Sequence, residues 1–309
     1  MNREAPTASR AQGWGRIYFA VQAVAGLAWW VGVFLSPAIR TATLGSLDPV
    51  LVAAFDVPLF VVASAWAAFG ARAGAMVATS WTGLVAVALA TYATFSTEAG
   101  WGVLIMLAAA ACSTIALFLV VEGRVPTELI VRGPFAFRPA PTLRGAAANV
   151  AATMGQLALF WGLFLVVLPS VICWFEQRWA VSLALPSTAA PAGLVVLALA
   201  SCLGIASAVT MSSAAGGTPL PSAMPNRLVI AGPYRWVRNP MAVAGISQGV
   251  AVGLLLGSWL VVTYAAIGSL LWNYAVRPHE EADLERRFGT DFQRYRDSVR
   301  CWIPRLRGN

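Results

Sequence analysis

Residues 241–276 run for 36 positions without a charged side chain. A single helix of that length would reach about 54 Å at ~1.5 Å per residue, against a hydrocarbon core of about 30 Å. The run must fold back on itself, and Gly257-Ser258 near its middle supplies residues suited to the turn. Further apolar runs of spanning length lie at 17–36, 50–69, 73–95, 100–121, 146–175 and 192–212. With the last run folded into a hairpin, the chain reads as all-α: a polytopic integral membrane protein of about eight transmembrane helices. Composition agrees. Only 11% of the 309 residues are charged and 59% are apolar, and the mean hydropathy is +0.71. Soluble domains carry roughly one-quarter charged residues, so a soluble or disordered chain is excluded. Four Cys (112, 173, 202 and 301) are too few for a disulfide scaffold and read as reduced and structural.

All 21 basic residues are Arg, with no Lys, a bias expected of a GC-rich bacterial genome. The net charge of +8 does not indicate nucleic acid as a partner, because the Arg residues are spread among loops between apolar runs. In the eight-span topology 19 of the 21 fall on one side, leaving Arg40 and Arg178 opposite. The positive-inside rule then puts both termini in the cytoplasm and the chain in a bacterial inner membrane, surrounded by lipid. The first run is longer than a signal-peptide core and reads as an uncleaved anchor.

Two regions follow: residues 1–140, with four spans and no legible chemistry, and 141–309, which carries the polar motifs. In the first, Asp56 just before Pro58 either marks a pathway or caps a proline kink. In the second, Asn149 and Gln156 read as helix–helix hydrogen-bonding residues. Gly245, Gly249, Gly253 and Gly257 recur every four residues and form one flat helical stripe. Such a stripe gives tight packing or, alternatively, a thin wall beside a ligand.

Polar residues concentrate around the hairpin. Before it stands Gly232-Pro-Tyr-Arg-Trp-Val-Arg-Asn-Pro240; after it come Asn273-Tyr-Ala-Val-Arg-Pro-His-Glu-Glu281, Leu284, Phe288-Gly289, Tyr295 and Ile303-Pro304. Pro278 suits the first turn of a helix, Glu280, Glu281 and Asp283 its positive end, and Gly289 its C-cap. Thr290 and Gln293 are spaced as a capping box, with Phe292, Tyr295 and Val299 facing membrane or core. One His, His279, cannot build a metal site, so no metal is expected. No GxGxxG motif is present, which removes a soluble-type dinucleotide pocket.

From about Leu228 to Pro304 this order resembles the membrane superfamily of isoprenylcysteine carboxyl methyltransferases and phospholipid methyltransferases. Gly232, Tyr234, Arg238, Pro240, Glu280, Glu281, Leu284, Phe288, Gly289, Tyr295 and Ile303-Pro304 match its pattern. Asn239 stands in place of its His and Ala242 in place of its second Tyr. The resemblance implies methyl transfer from S-adenosyl-L-methionine to a lipophilic or lipid-linked acceptor, a carboxylate, thiol or amine. Cofactor-binding residues would be Gly232, Tyr234, Arg238, Asn239, Pro240, Tyr274, His279, Glu280 and Glu281. The residue chemistry suits that donor: a sulfonium and an ammonium want carboxylates and aromatic faces, and a carboxylate wants Arg. The catalytic residues would be Arg235, holding an anionic acceptor, and Glu281, the base for an amine. Two other readings stand beside it: an NADPH-dependent sterol-type reductase, and a transporter or scaffold with a degenerate methyltransferase tail.

Overall fold

The computed structural model describes residues 5–130, 132, 145–214, 218, 224 and 226–304. Among these residues the fold is helical with no strand. The chain forms two compact units. One comprises Met1–Pro126 with Phe175–Val181; the other comprises Thr127–Trp174 with Ser182–Asn309. The boundary expected at 140/141 lies outside the described residues.

The first unit contains α1 (Ala5–Leu35), α2 (Pro37–Leu44), α3 (Pro49–Asp56), α4 (Ala63–Ala68), α5 (Arg72–Ser96) and α6 (Gly100–Glu122). A π-helical turn, Val57–Val62, joins α3 to α4 and contains Pro58. Proline brings no N–H to its ring position, and a wider turn accommodates the broken ladder. Asp56, 5% exposed, lies at this break. Its two carboxyl oxygens accept from the indole N–H groups of Trp30 in α1 and Trp81 in α5, each at 2.8 Å. Asp56 therefore pins three helices together through one side chain. A second buried network joins α1 to α4 and α6: Gln22 donates to Ser64 at 3.0 Å and accepts from Ser113 at 2.8 Å.

The pin leads to a stability prediction. Asp56→Ala strands two indole donors in a dry interior, at about 1–3 kcal/mol each. Chemical unfolding in detergent should show a loss of about 3 kcal/mol, and Asp56→Asn, which keeps one acceptor oxygen, about half of it. An Ala variant as stable as the parent would show that the pair carries no stability.

The second unit contains α7 (Ala146–Trp161), α8 (Leu168–Arg178, up to Trp174), α9 (Ala189–Ala214), α10 (Pro240–Leu256), α11 (Trp259–Leu271) and α12 (Arg277–Ser298). Among the described residues seven helices are long and apolar enough to cross a membrane; α10, at 17 residues, is a shorter apolar helix. The hairpin turn falls where the sequence put it. Gly257 ends α10 with φ +64°, a left-handed conformation suited to glycine, and Ser258 caps α11 by accepting from the Val261 N–H at 3.2 Å.

Two further π turns, Gly162–Val167 and Trp272–Val276, precede Pro169 and Pro278. A proline ring clashes with the carbonyl four residues earlier, here Leu165 and Tyr274, inside those turns. The second turn carries α11 into α12 as one continuous helix as far as Gly289, and its apolar part ends at Val276. Beyond it α12 is polar. It breaks at Gly289, φ +52° and ψ −125°, so the expected C-cap glycine marks a kink. Phe292, Tyr295 and Val299 are buried together with Leu228, Leu284 and Phe288 packed on them. The Gln293 amide donates to Glu285 at 2.7 Å, in place of the expected capping-box contact.

Candidate active site

The cavity of the second unit measures about 680 Å³, within the range typical of small-molecule pockets. Both proline-linked π turns contribute to its walls: Phe164 and Leu165 from the first, Trp272 and Val276 from the second. The remaining apolar lining comes from Phe160 and Trp161 at the end of α7, Met211 in α9, Met224, Leu228 and Val229 before α10, α10 and α11 themselves, and Leu284 in α12. Polar groups gather at one end: Arg227, Tyr234, Arg238, Asn239, Glu280 and Tyr295.

Local sequence explains how these groups are held. Asn239 is the N-cap of α10, its Oδ1 accepting from the Ala242 N–H at 3.0 Å, and Pro240 occupies the first turn. Asparagine is therefore well suited to this position as a helix start. Ala242 also lines the cavity, so the methyl group present where the superfamily pattern has Tyr leaves space open there. Just upstream, Gly232 takes φ +52° to begin a short 3₁₀ turn, and its α-carbon faces Thr210 of α9. That turn buries Tyr234, whose carbonyl accepts from the Tyr295 hydroxyl at 2.7 Å. The Arg238 N–H donates to the Arg300 carbonyl at 3.0 Å, tying the segment to the chain after α12.

Glu280 and Glu281 diverge, as neighbours on a helix must. Glu280 lines the cavity. Glu281 does not, and pairs instead with Arg238, Nη1 to Oε1 at 3.0 Å. The approach brings the charges together without aligning an N–H on the oxygen. The buried Nε and Nη1 of Arg238 are left without hydrogen-bond partners. Burial, followed by the neighbouring charges of Glu281 and Asp283, pushes the Glu280 carboxyl up to about 7. Burial and the Glu280 charge likewise push the Tyr234 hydroxyl well above its ordinary value. Cys301, beside Arg277 and Arg238, is raised by burial, partly offset by a hydrogen bond from Arg277.

Of the residues marked from the sequence, Tyr234, Arg238, Asn239 and Glu280 share the cavity wall. Glu281 stands behind Arg238, and Pro240 is buried at the start of α10. Gly232 acts through backbone geometry. Arg235 is exposed and off the wall, Tyr274 is 71% exposed, and His279 is held by Thr127, Nε2 to Oγ1 at 3.0 Å. The structure adds residues that no motif marked: Arg227, the aromatic wall of Phe160, Trp161 and Phe164, and Gln248, Tyr264 and Gly268.

The glycine stripe packs against α11 over part of its length and lines the cavity over another. A Cβ on Gly253 would lie 2.7 Å from Val262 and one on Gly249 2.9 Å from Ala265, so these two let α10 and α11 touch. A Cβ on Gly245 would meet nothing within 4 Å, and Gly245 lines the cavity.

Residues 187–291 match the family model of the phospholipid methyltransferases. The match begins just before α9 and runs through the hairpin to Asp291 in α12. It includes Tyr234, Arg238 and Glu280, while the aromatic wall from α7 and Tyr295 lie outside it. No curated protein matches the chain. Together with the spanning helices, the phospholipid methyltransferase match supports a membrane methyltransferase.

Proposed function

We propose that the chain is an S-adenosylmethionine-dependent methyltransferase acting on a lipophilic acceptor. The observation that carries this reading is the joining of two unlike environments in one cavity. At one end a buried Arg has unpartnered N–H groups and a carboxyl faces inward; the rest is a mainly apolar chamber among membrane-spanning helices, with Gln248 and Tyr264 as its polar side chains.

The residues present fit the donor. Arg238 offers Nε and Nη1 to a carboxylate, and Glu280 offers a carboxyl to a cation. Tyr234 contributes an aromatic ring beside it. When bound, S-adenosylmethionine supplies an electrophilic methyl group and leaves as a neutral thioether. The protein's own contribution is positioning. The aromatic wall and the hairpin hold the acceptor in a site shielded from water, where alignment accounts for much of the rate of such a displacement. Glu281 braces Arg238 through their ion pair. The cavity-facing position and raised pKa of Glu280 suit it to take the proton released by an amine or hydroxyl acceptor, a role the sequence reading gave to Glu281.

Calorimetry on the purified chain should show S-adenosylhomocysteine binding and no NADPH binding. Membranes incubated with methyl-labelled S-adenosylmethionine should accumulate label in the lipid extract. NADPH binding without S-adenosylhomocysteine binding would replace this reading with the reductase.

A further inference from the structure

A smaller recess of about 280 Å³ adjoins the main cavity and shares Trp161, Met241, Gly245 and Gln248 with it. Its floor is polar in a way that membrane-buried walls seldom are. Thr153, Gln156 and Gln248 line it. Thr153 accepts from Ser212 at 2.7 Å, and the Gln248 amide, 1% exposed, donates to Ser201 at 3.0 Å. Gln156 is different: its amide nitrogen reaches Thr218 only at 3.4 Å, and its buried Oε1 has no partner. A buried acceptor left unpaired bears its full desolvation penalty with no compensating bond. The recess is roughly nine times the ~30 Å³ share of one liquid water, so a single structural water would leave most of it empty. Among the described residues no charged side chain lines it, whereas Arg238 and Glu280 both line the main cavity.

We propose that this recess anchors the methyl acceptor by a neutral hydrogen-bond donor, a hydroxyl or an uncharged N–H, received by Gln156 Oε1. The inference rests on the lipophilic-acceptor reading above and narrows it. The acceptor carries a neutral donor group in addition to its apolar body, and Gln156 determines that specificity. An ammonium group is disfavoured in the recess, which offers no counter-charge, and an ether or plain hydrocarbon leaves Oε1 unpaired.

The test uses two photoreactive probes, a diazirine-bearing decanol and its methyl ether, on the full chain in nanodiscs containing S-adenosylhomocysteine. Adducts are mapped by peptide mass spectrometry. Labelling of the lipid-exposed face of α11 normalises for partitioning. The alcohol should label the 153–161 and 241–248 peptides about 10-fold more than the ether, the discrimination expected when a buried acceptor goes unpaired. Gln156→Leu should reduce that preference to less than 2-fold. Gly245→Val, which adds bulk to the shared wall where a Cβ meets nothing, should reduce recess labelling by both probes. Equal labelling by alcohol and ether in the unmodified protein overturns the inference, as does a preference that survives Gln156→Leu. If S-adenosylhomocysteine binds in the same preparation while the preference is absent, the recess inference fails alone. Absence of that binding is instead a failure of the proposed function.

Discussion

Arg238→Leu is expected to weaken S-adenosylhomocysteine binding by 100-fold or more. The side chain is 13% exposed, and two of its nitrogens are buried without hydrogen-bond partners at the polar end of the cavity. Hydrogen bonds to charged groups contribute about 1.5–3 kcal/mol each, so losing two corresponds to roughly 10²–10⁴ in affinity. Arg238→Lys keeps the charge but not the planar fork and should fall between the two. The ion pair with Glu281 must be separated from direct binding, because deleting Arg238 also leaves that carboxylate alone. Glu281→Gln removes the brace and leaves Arg238 anchored through its backbone bond to Arg300, so it should weaken binding by no more than about 10-fold. The double variant Arg238→Leu/Glu281→Leu should bind as poorly as Arg238→Leu. Binding within 3-fold of the parent in a folded Arg238→Leu protein would remove Arg238 from the site.

Much of this architecture was legible in the chain, and the rest was hidden for identifiable reasons. The absence of charge over 241–276 required a hairpin, and Gly257-Ser258 forms its turn. The spacing of Phe292, Tyr295 and Val299 put them on one face towards membrane or core, and all three are buried in the core. Tyr274 looked close to the glutamates at regular helical spacing. The π turn at Trp272–Val276 adds a residue to the turn, which breaks that regular spacing, and Tyr274 is 71% exposed. The same phase decides which of two adjacent carboxylates enters the cavity, and no motif reports it. The aromatic wall from α7 could not be read because an apolar run gives no sign of which face meets lipid and which meets a ligand. Asp56 could be singled out as unusual, but its two indole partners are 26 and 25 residues away in sequence and on different helices.

The π turns also link local chemistry to function. Pro169 and Pro278 each disturb the helix one turn earlier, and those widened turns supply Phe164, Leu165, Trp272 and Val276 to the cavity wall. An uninterrupted helix would present a different set of side chains there. In this chain, proline position therefore helps to shape the chamber, while the Arg and Glu residues set its polarity.

Glu280→Gln should abolish a pH dependence that the parent shows between pH 5 and 7. Burial and the charges of Glu281 and Asp283 hold the Glu280 carboxyl at about 7, against 4.5 ordinarily. The groups around it are Tyr234, whose hydroxyl stays protonated, Tyr295, and Arg238 paired to Glu281. Between those two values the folded protein holds a proton that the unfolded chain has released. Stability therefore falls as pH rises through this window and levels off above about 7. Thermal unfolding in detergent should show that fall in the parent and a flatter profile in Glu280→Gln. Cation binding runs the other way, because a sulfonium favours the ionised carboxylate. S-adenosylmethionine affinity should rise by up to about 10-fold per unit as pH approaches 7 from below, then plateau. In Glu280→Gln it should be weaker and nearly flat. The thioether product lacks the sulfonium charge and should gain less over the same range. A variant that keeps the parent's slope in both measurements would assign the titration to another group and remove Glu280 from the cation site.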